Sequence, residues 1–288
     1  MNDNKLHFAI GNSKLALSIA NFSLPAGWTC PFAKECLSKS NPLTGKIIDG
    51  EHCRFRCFAA TNEARATTVR NARWRNFHIL RDSRSVEKMG QVIQDSLPPN
   101  MDKIRTHVSG DFWSEKYFLA WVNVAMNNPM KTFYGYTKAL PFIVKYKKYL
   151  PSNFRFVASK GGTHDHLIAK HHLVFAEVVL SFEEADEKGL EIDHDDSLAF
   201  SGKKSFALLI HATQPAGTPS AAAWSKLKRD GVGGYKKNKA SRHIIVPKPI
   251  KLFIDIRNNE IVRPQLLVPK IKQYKFTPQS NIKAVKTK

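Results

Sequence analysis

Along much of this chain, apolar runs of about six residues alternate with stretches whose apolar positions recur at helical spacing. Lys14 to Leu24 reads as a first strand that enters a turn at Pro25-Ala26-Gly27. A loop follows from Thr29 to about Ala60, its middle rich in the turn formers Asn41-Pro42, Gly45 and Asp49-Gly50. Thr61 to Leu80 has helical spacing without Pro or Gly, with Thr61 as N-cap. Ser85 to Leu97 is a second helix, stopped by Pro98-Pro99.

A rhythm then sets in. Ile104 to Ser109 is a strand and Ser114 to Asn127 its helix; Thr132 to Thr137 is the next strand and Pro141 to Tyr149 its helix. Phe154 to Ser159 is a further strand, with Thr163 capping a helix to about His172. Phe175 to Leu180 and Phe206 to His211 complete six strands. Helix-sized connections demand parallel pairing. The alternation therefore predicts an α/β fold, and no G-x-G-x-x-G follows the first strand to mark a dinucleotide-binding sheet. The expected architecture is a partial (β/α) barrel of about six units, with an N-terminal cysteine loop and a basic C-terminal extension. In domain terms these are 1–225 and 226–288. In the C-terminal part, Ala221 to Arg229 is a short basic helix, Gly231 to Gly234 is flexible, and the final dozen residues form a loose tail. Lys251 to Ile256 and Glu260 to Arg263 spell a hairpin around Asn258-Asn259.

Charge changes the picture next. Lys and Arg total 45 against 24 Asp and Glu, a net charge of +21. From Lys226 to Lys288 there are 17 basic and 3 acidic residues, whereas Glu177 to Asp196 holds nine carboxylates and one lysine. Such segregation attracts polyanions, so a nucleic acid or nucleotide is the expected partner. No apolar run approaches the roughly 20 residues needed to span a bilayer, and Met1 to Lys14 lacks the pattern of a secretory signal. The expectation is a protein of the reducing cytoplasm with no membrane partner, where metal thiolates outlast disulfides.

All four cysteines fall within 28 positions, Cys30, Cys36, Cys53 and Cys57, spaced C-x5-C-x16-C-x3-C. Two short-spaced pairs joined by a turn-rich loop predict one metal site with four converging sulfurs. The spacing matches zinc knuckles poorly. Iron–sulfur ligation tolerates it, and the loop follows a strand at the end where barrel folds build active sites. A [4Fe–4S] cluster is thus expected over zinc. His52, beside Cys53, stays outside the ligand set.

The polar strand exits carry the remaining candidates. Ser109, Asp111 and Lys138 are the candidate catalytic residues. Tyr136, Ser159, Lys160, Gly161, Gly162, His211 and Gln214 are candidates for holding a cofactor, the glycines by letting backbone N–H groups approach a ligand. His107 alternates with Ser109 and Asp111, which would place all three on one strand face. His164, His166, His171 and His172 look like a second metal cluster but lack ligand spacing; covering a helix is the expected role. Arg70 and Arg73, interleaved with Trp74 and Phe77, are candidate nucleic-acid contacts, as are Lys236, Lys237, Lys239 and Arg242. The alternative places Trp74 and Phe77 in the core.

Four segments also carry a resemblance. Leu24-Pro25-Ala26-Gly27-Trp28-Thr29-Cys30-Pro31, Cys53-Arg54-Phe55-Arg56-Cys57-Phe58-Ala59, His107-Val108-Ser109-Gly110-Asp111-Phe112 and Phe133-Tyr134-Gly135-Tyr136-Thr137-Lys138 resemble the gene product 88 family of bacteriophage proteins. That resemblance implies a phage origin, and so the host cytoplasm, more than it implies a reaction. More distantly, the layout is similar to radical S-adenosylmethionine enzymes, which hold a [4Fe–4S] cluster in a cysteine loop after the first strand of a six-unit partial barrel. This implies S-adenosylmethionine as a cofactor. The usual C-x3-C-x2-C is absent, and four ligating cysteines would close the iron that such chemistry leaves open. Two functions follow. One is a radical-type iron–sulfur enzyme acting on nucleic acid or a nucleotide. The other is a non-catalytic nucleic-acid-binding or host-takeover protein with a structural zinc or iron–sulfur site.

Overall fold

The computed structural model describes residues 4–232, together with two short strands at 253–255 and 260–262. The chain divides into two units, Met1–Arg242 and His243–Lys288. The expected boundary at 225 falls inside the helix Pro219–Arg229. In the second unit, Phe253–Asp255 and Glu260–Val262 pair antiparallel in the expected hairpin. The expected flexible glycines from 233 on, the loose tail, Lys236, Lys237, Lys239 and Arg242 lie outside the described residues.

The first unit is built on one sheet of seven strands. In chain order the strands and helices are β1 (Ala9–Ile10), β2 (Ile19–Ser23), β3 (Ser38–Ser40), β4 (Ile47–Asp49), α1 (Phe58–Arg65), α2 (Thr67–Ser83), α3 (Val86–Ser96), β5 (Lys103–Ser109) and α4 (Glu115–Met126). They continue with β6 (Thr132–Thr137), α5 (Leu140–Tyr146) running into a 3₁₀ turn Lys147–Tyr149, β7 (Phe154–Ser159), α6 (His166–Lys170) and β8 (Phe175–Val179). The remainder of the unit is α7 (Phe182–Glu187), α8 (Ser197–Ser201), β9 (Phe206–Leu209) and α9 (Pro219–Arg229).

The strand order is β1-β2-β5-β6-β7-β8-β9. Every pair from β2 to β9 is parallel, as the connections demanded, and only the edge strand β1 is antiparallel. Adjacent strands follow sequence order with no reversal, which separates this sheet from a doubly wound one, where the order turns back midway.

Side chains alternate across the strands and so feed two cores. On one face Phe22, Ile104, Phe133 and Phe154 pack with Ile93 of α3 and with Tyr117, Phe118 and Trp121 of α4. On the other, Ile19, Tyr134, Val157, Ala176 and Phe206 pack with Leu15 and with Ala199 of α8. The second face ends at a buried charge cluster. Asp196 accepts Lys14 Nζ at 2.6 Å and Arg105 Nη1 at 2.5 Å, and the Tyr136 hydroxyl donates to it at 3.0 Å.

Three local expectations are corrected. The strand expected from Lys14 starts only at Ile19, because Asn12 Oδ1 accepts the N–H groups of Lys14 and Leu15 and bends the chain there. The single helix from Thr61 to Leu80 is two, broken at Ala66, whose backbone is extended. Arg70 stabilises the break by donating from Nη1 to the Glu63 carbonyl at 2.7 Å, one of the carbonyls left open at the end of α1. The helix expected from Thr163 begins at His166, because the Asp165 carboxylate is spent on the N–H groups of Gly161 and Gly162.

Candidate functional site

The cysteine loop leaves β2 through Pro25, whose carbonyl accepts both the N–H and the hydroxyl of Thr29. Gly27 sits at φ +70°, and a Cβ there would lie 2.3 Å from the Ser38 carbonyl oxygen. Only glycine suits both the conformation and the approach. Gly27→Ala should therefore lower stability by about 2 kcal/mol or more and displace Cys30. Denaturant unfolding and thiol-labelling rates would read this, and wild-type values for both would refute it.

Beyond Cys36 the chain forms an antiparallel hairpin of β3 and β4, with Ser38 opposite Asp49. The return segment is tied down by Glu35, whose carbonyl accepts the N–H groups of Arg54 and Phe55. Ser38 Oγ accepts the Cys57 N–H at 3.2 Å and lies 3.5 Å from Cys53 Sγ, while that thiol donates to the Phe55 carbonyl at 3.0 Å. Cys57 is the N-cap of α1. A helix N-terminus ordinarily favours a thiolate. Here burial dominates and the neighbouring Cys36 adds to it, so the Cys57 thiol is pushed up to about 12. Cys30 is likewise raised by burial, then by Asp111, Cys57 and Cys36. Cys53 is raised by burial, with Asp49 and Cys36 contributing.

Cys30, Cys36 and Cys57 thus lie within electrostatic reach of one another. All four cysteines are free thiols, and among the described residues no three His, Cys, Asp or Glu side chains stand close enough together to hold a metal ion. The donor set suits a soft metal in kind, since crowding that penalises thiolates becomes favourable once a cation sits among them.

A cavity of about 550 Å³ opens beside this loop, over the Tyr134 face of the sheet. Its wall includes Cys36 and Cys57, Phe55 and Phe58, Arg65 and Arg73, and the strand residues Arg105, Val108, Tyr136, Val178 and Leu208. Lys138, Ser159 and His211 complete it at the strand exits. Lys138 Nζ donates to Ser159 Oγ at 2.7 Å, to the Lys160 carbonyl at 2.8 Å and to the Ser159 carbonyl at 3.0 Å. The His211 ring stacks on Phe58 with centroids 3.6 Å apart, and burial lowers its pKa to about 4, leaving it neutral at pH 7.

Of the expected site residues, Lys138, Tyr136, Ser159 and His211 share this cavity with two cysteines. Others do different work. Ser109 Oγ donates to the Leu24 carbonyl at 2.7 Å, joining β5 to the start of the cysteine loop. Asp111 accepts the Thr137 hydroxyl at 2.6 Å and the N–H groups of Phe112 and Lys138, joining two strand exits; burial raises its pKa. His107 does not share the surroundings of Asp111. Its ring lies among Phe22, Phe112, Tyr117 and Trp121, with Nε2 3.0 Å from the Tyr117 hydroxyl. Lys160 pairs with Glu177 at 2.7 Å. Gln214 is occupied by the main chain of Arg56 and His211.

The glycine pair serves the loop itself rather than presenting free N–H groups to a ligand. Gly161 O accepts the N–H groups of Lys34 and Glu35, Gly162 bridges Ala33, and both glycine N–H groups are taken by Asp165. Arg70 and Arg73 are corrected as nucleic-acid contacts, because they are only 4% and 7% exposed. Arg70 holds the carbonyls of Pro42, Leu43 and Glu63, and Arg73 pairs with Glu63 at 2.8 Å. Phe77 packs against the first core, as the alternative reading had it, while Trp74 lies half-buried between Trp28 and Phe77.

Sequence reasoning missed Glu63 and Arg105. Glu63 is fully buried, and its Oε1 accepts from Ala26 N–H, Arg73 and Ser109. A carboxylate two turns after Cys57 was the available signal. For Arg105 it was the strand alternation that sets it opposite Ile104.

A family model described as Gene product 88 matches residues 2–230. The chain belongs to the phage gene product 88 family. No curated protein and no solved structure matches it. Among the described residues of this family member, no helix is long and apolar enough to cross a membrane.

Proposed function

We propose that this gene product 88 protein is a thiolate-metal enzyme of the host cytoplasm, acting on a nucleotide or nucleic acid within the cavity at its strand exits. The observation that carries this is the sharing of one chamber by Cys36 and Cys57 with Lys138, Ser159 and His211. Six parallel strands in sequence order support a partial (β/α) barrel, the architecture that gathers chemistry at the C-terminal ends of its strands. Cys30, Cys36 and Cys57 would hold the metal, with Cys53 as the fourth donor, and the metal would have to draw these thiols closer together than they stand in the described residues. A [4Fe–4S] cluster is preferred to zinc, with S-adenosylmethionine as co-substrate, and such a cluster supplies a single electron when bound. The chain's own residues prepare the chamber. Phe55 and Phe58 set apolar walls beside the thiols, Lys138 stands at the strand-exit end of the cavity, and Tyr136 is fixed by Asp196. The basic stretch 226–288 supplies attraction for a polyanion.

Anaerobic purification with iron and zinc quantification tests this. A brown protein whose iron is lost in Cys36→Ser and Cys57→Ser is expected, as is 5′-deoxyadenosine after reduction with S-adenosylmethionine. A colourless protein with one zinc would leave only a structural metal and a binding function, which the closeness of Cys53 and Cys57 to Ser38 favours as the second reading. A protein without metal would overturn both.

A further inference from the structure

The wall of the 550 Å³ cavity contains cationic side chains and no carboxylate. Most of that charge is matched from behind the wall. Lys14 and Arg105 are paired with Asp196, and Arg73 with Glu63. His211 is neutral at pH 7. Arg65 and Lys138 differ. Arg65 donates to the Thr213 hydroxyl, and Lys138 is held by three neutral oxygens of Ser159 and Lys160. Among the described residues no carboxylate lies within 4 Å of either cation. Asp111, whose carboxylate attracts the Lys138 ammonium from beyond that distance, uses its oxygens on Thr137 Oγ1 and the N–H groups of Phe112 and Lys138. Lys138 is only 6% exposed, and a buried charge with no carboxylate within salt-bridge distance is costly. An anion entering the cavity would remove that cost.

The chamber is also far larger than an inorganic anion requires and falls in the range that holds organic ligands. Val108, Val178 and Leu208 give it an apolar wall, and Tyr136 and Phe58 an aromatic one. We infer that the cavity binds a nucleoside monophosphate unit, with Arg65 donating to the phosphate, Lys138 attracting it by its charge and the apolar wall taking the base. This rests on the reading of the cavity as the substrate chamber and names what enters it. The unit is either a free mononucleotide or the 5′-terminal nucleotide of a strand, since both present the same phosphate and base.

Calorimetric titration of the full-length, metal-free protein with AMP, adenosine and inorganic phosphate tests the inference. AMP should bind at least about tenfold more tightly than adenosine, the scale of a charge-assisted hydrogen bond. Arg65→Gln, at an exposed position, and Lys138→Gln should each weaken AMP about tenfold and leave adenosine unchanged. If Lys138→Gln fails to fold, Arg65→Gln alone decides. Equal affinity for AMP and adenosine, no AMP binding at millimolar concentration, or an unaffected Arg65→Gln would overturn the proposal. An oligonucleotide with a 5′-phosphate that competes with AMP, where its 5′-hydroxyl counterpart does not, identifies a strand end; AMP binding without competition identifies the free nucleotide. Metal-loaded protein that ignores AMP sinks this inference alone. AMP binding by a protein that never takes up metal sinks the metal reading alone.

Discussion

Glu63→Ala should lower the unfolding free energy by about 3–5 kcal/mol, the cost of removing one partner from a buried ion pair. Glu63 is fully buried, and its Oε1 gathers Arg73 at 2.8 Å, the Ala26 N–H at 2.8 Å and the Ser109 hydroxyl at 3.3 Å. Four elements therefore meet on one oxygen: α1, α2, the start of the cysteine loop and the end of β5. Its other oxygen, Oε2, is buried without a partner, so desolvation already subtracts from what the carboxylate contributes. Removal is nonetheless the worse state, because it leaves the Arg73 guanidinium, 7% exposed, bonded only to the Ala59 carbonyl. Glu63→Gln keeps the shape and the acceptor and should lose less. Urea unfolding of both variants measures the difference, and a loss below about 1 kcal/mol for Glu63→Ala would show that Arg73 finds another partner.

Acid should destabilise the fold well above the range in which carboxylates titrate. His107 is buried among aromatic rings, and its pKa falls to about 3, first by desolvation and then through Arg105; burial takes His211 to about 4. Both folded-state values lie below the unfolded value of about 6.5. The unfolded chain therefore takes up protons that the native state refuses. Stability is full above that pH and falls below it by about 1.4 kcal/mol per unit for each histidine. The loss from His211 ends near pH 4 and that from His107 near pH 3. Asp111, whose pKa is raised, opposes this as its carboxyl protonates, and Asp196, whose pKa is lowered, adds to the loss at still lower pH. Chemical denaturation between pH 7 and pH 4.5 should show the slope, and His107→Gln should remove about half of it. A flat profile over that interval would mean that these rings reach solvent in the native state.

Much of the scaffold could be read from local pattern. Thr132–Thr137 and Phe154–Ser159 stand where alternation and flanking turns placed them, and Ser85 and Ser114, where two helices were expected to begin, cap them through side-chain oxygens. The parallel sheet followed from connection length alone. The break at Ala66 was hidden, because nothing local interrupts the helical pattern there. Its cause is an Arg70 side chain turning back to the Glu63 carbonyl.

The candidate site divides in the same way. Clustered cysteines, polar strand exits and excess positive charge are properties of composition and spacing, so the sequence by itself marked Lys138, Tyr136, Ser159 and His211 alongside Cys36 and Cys57. Which polar residues would be consumed in holding the fold was a tertiary matter. Ser109, Asp111, Gly161 and Gly162 look like ligand contacts until the Leu24 carbonyl, the Thr137–Lys138 strand exit and the Asp165 carboxylate take their hydrogen bonds, and Arg70 and Arg73 look like surface cations until Glu63 and the loop carbonyls enclose them. Spacing along a chain reports which groups are present. Only long-range packing decides which of their hydrogen bonds and charges remain for a ligand.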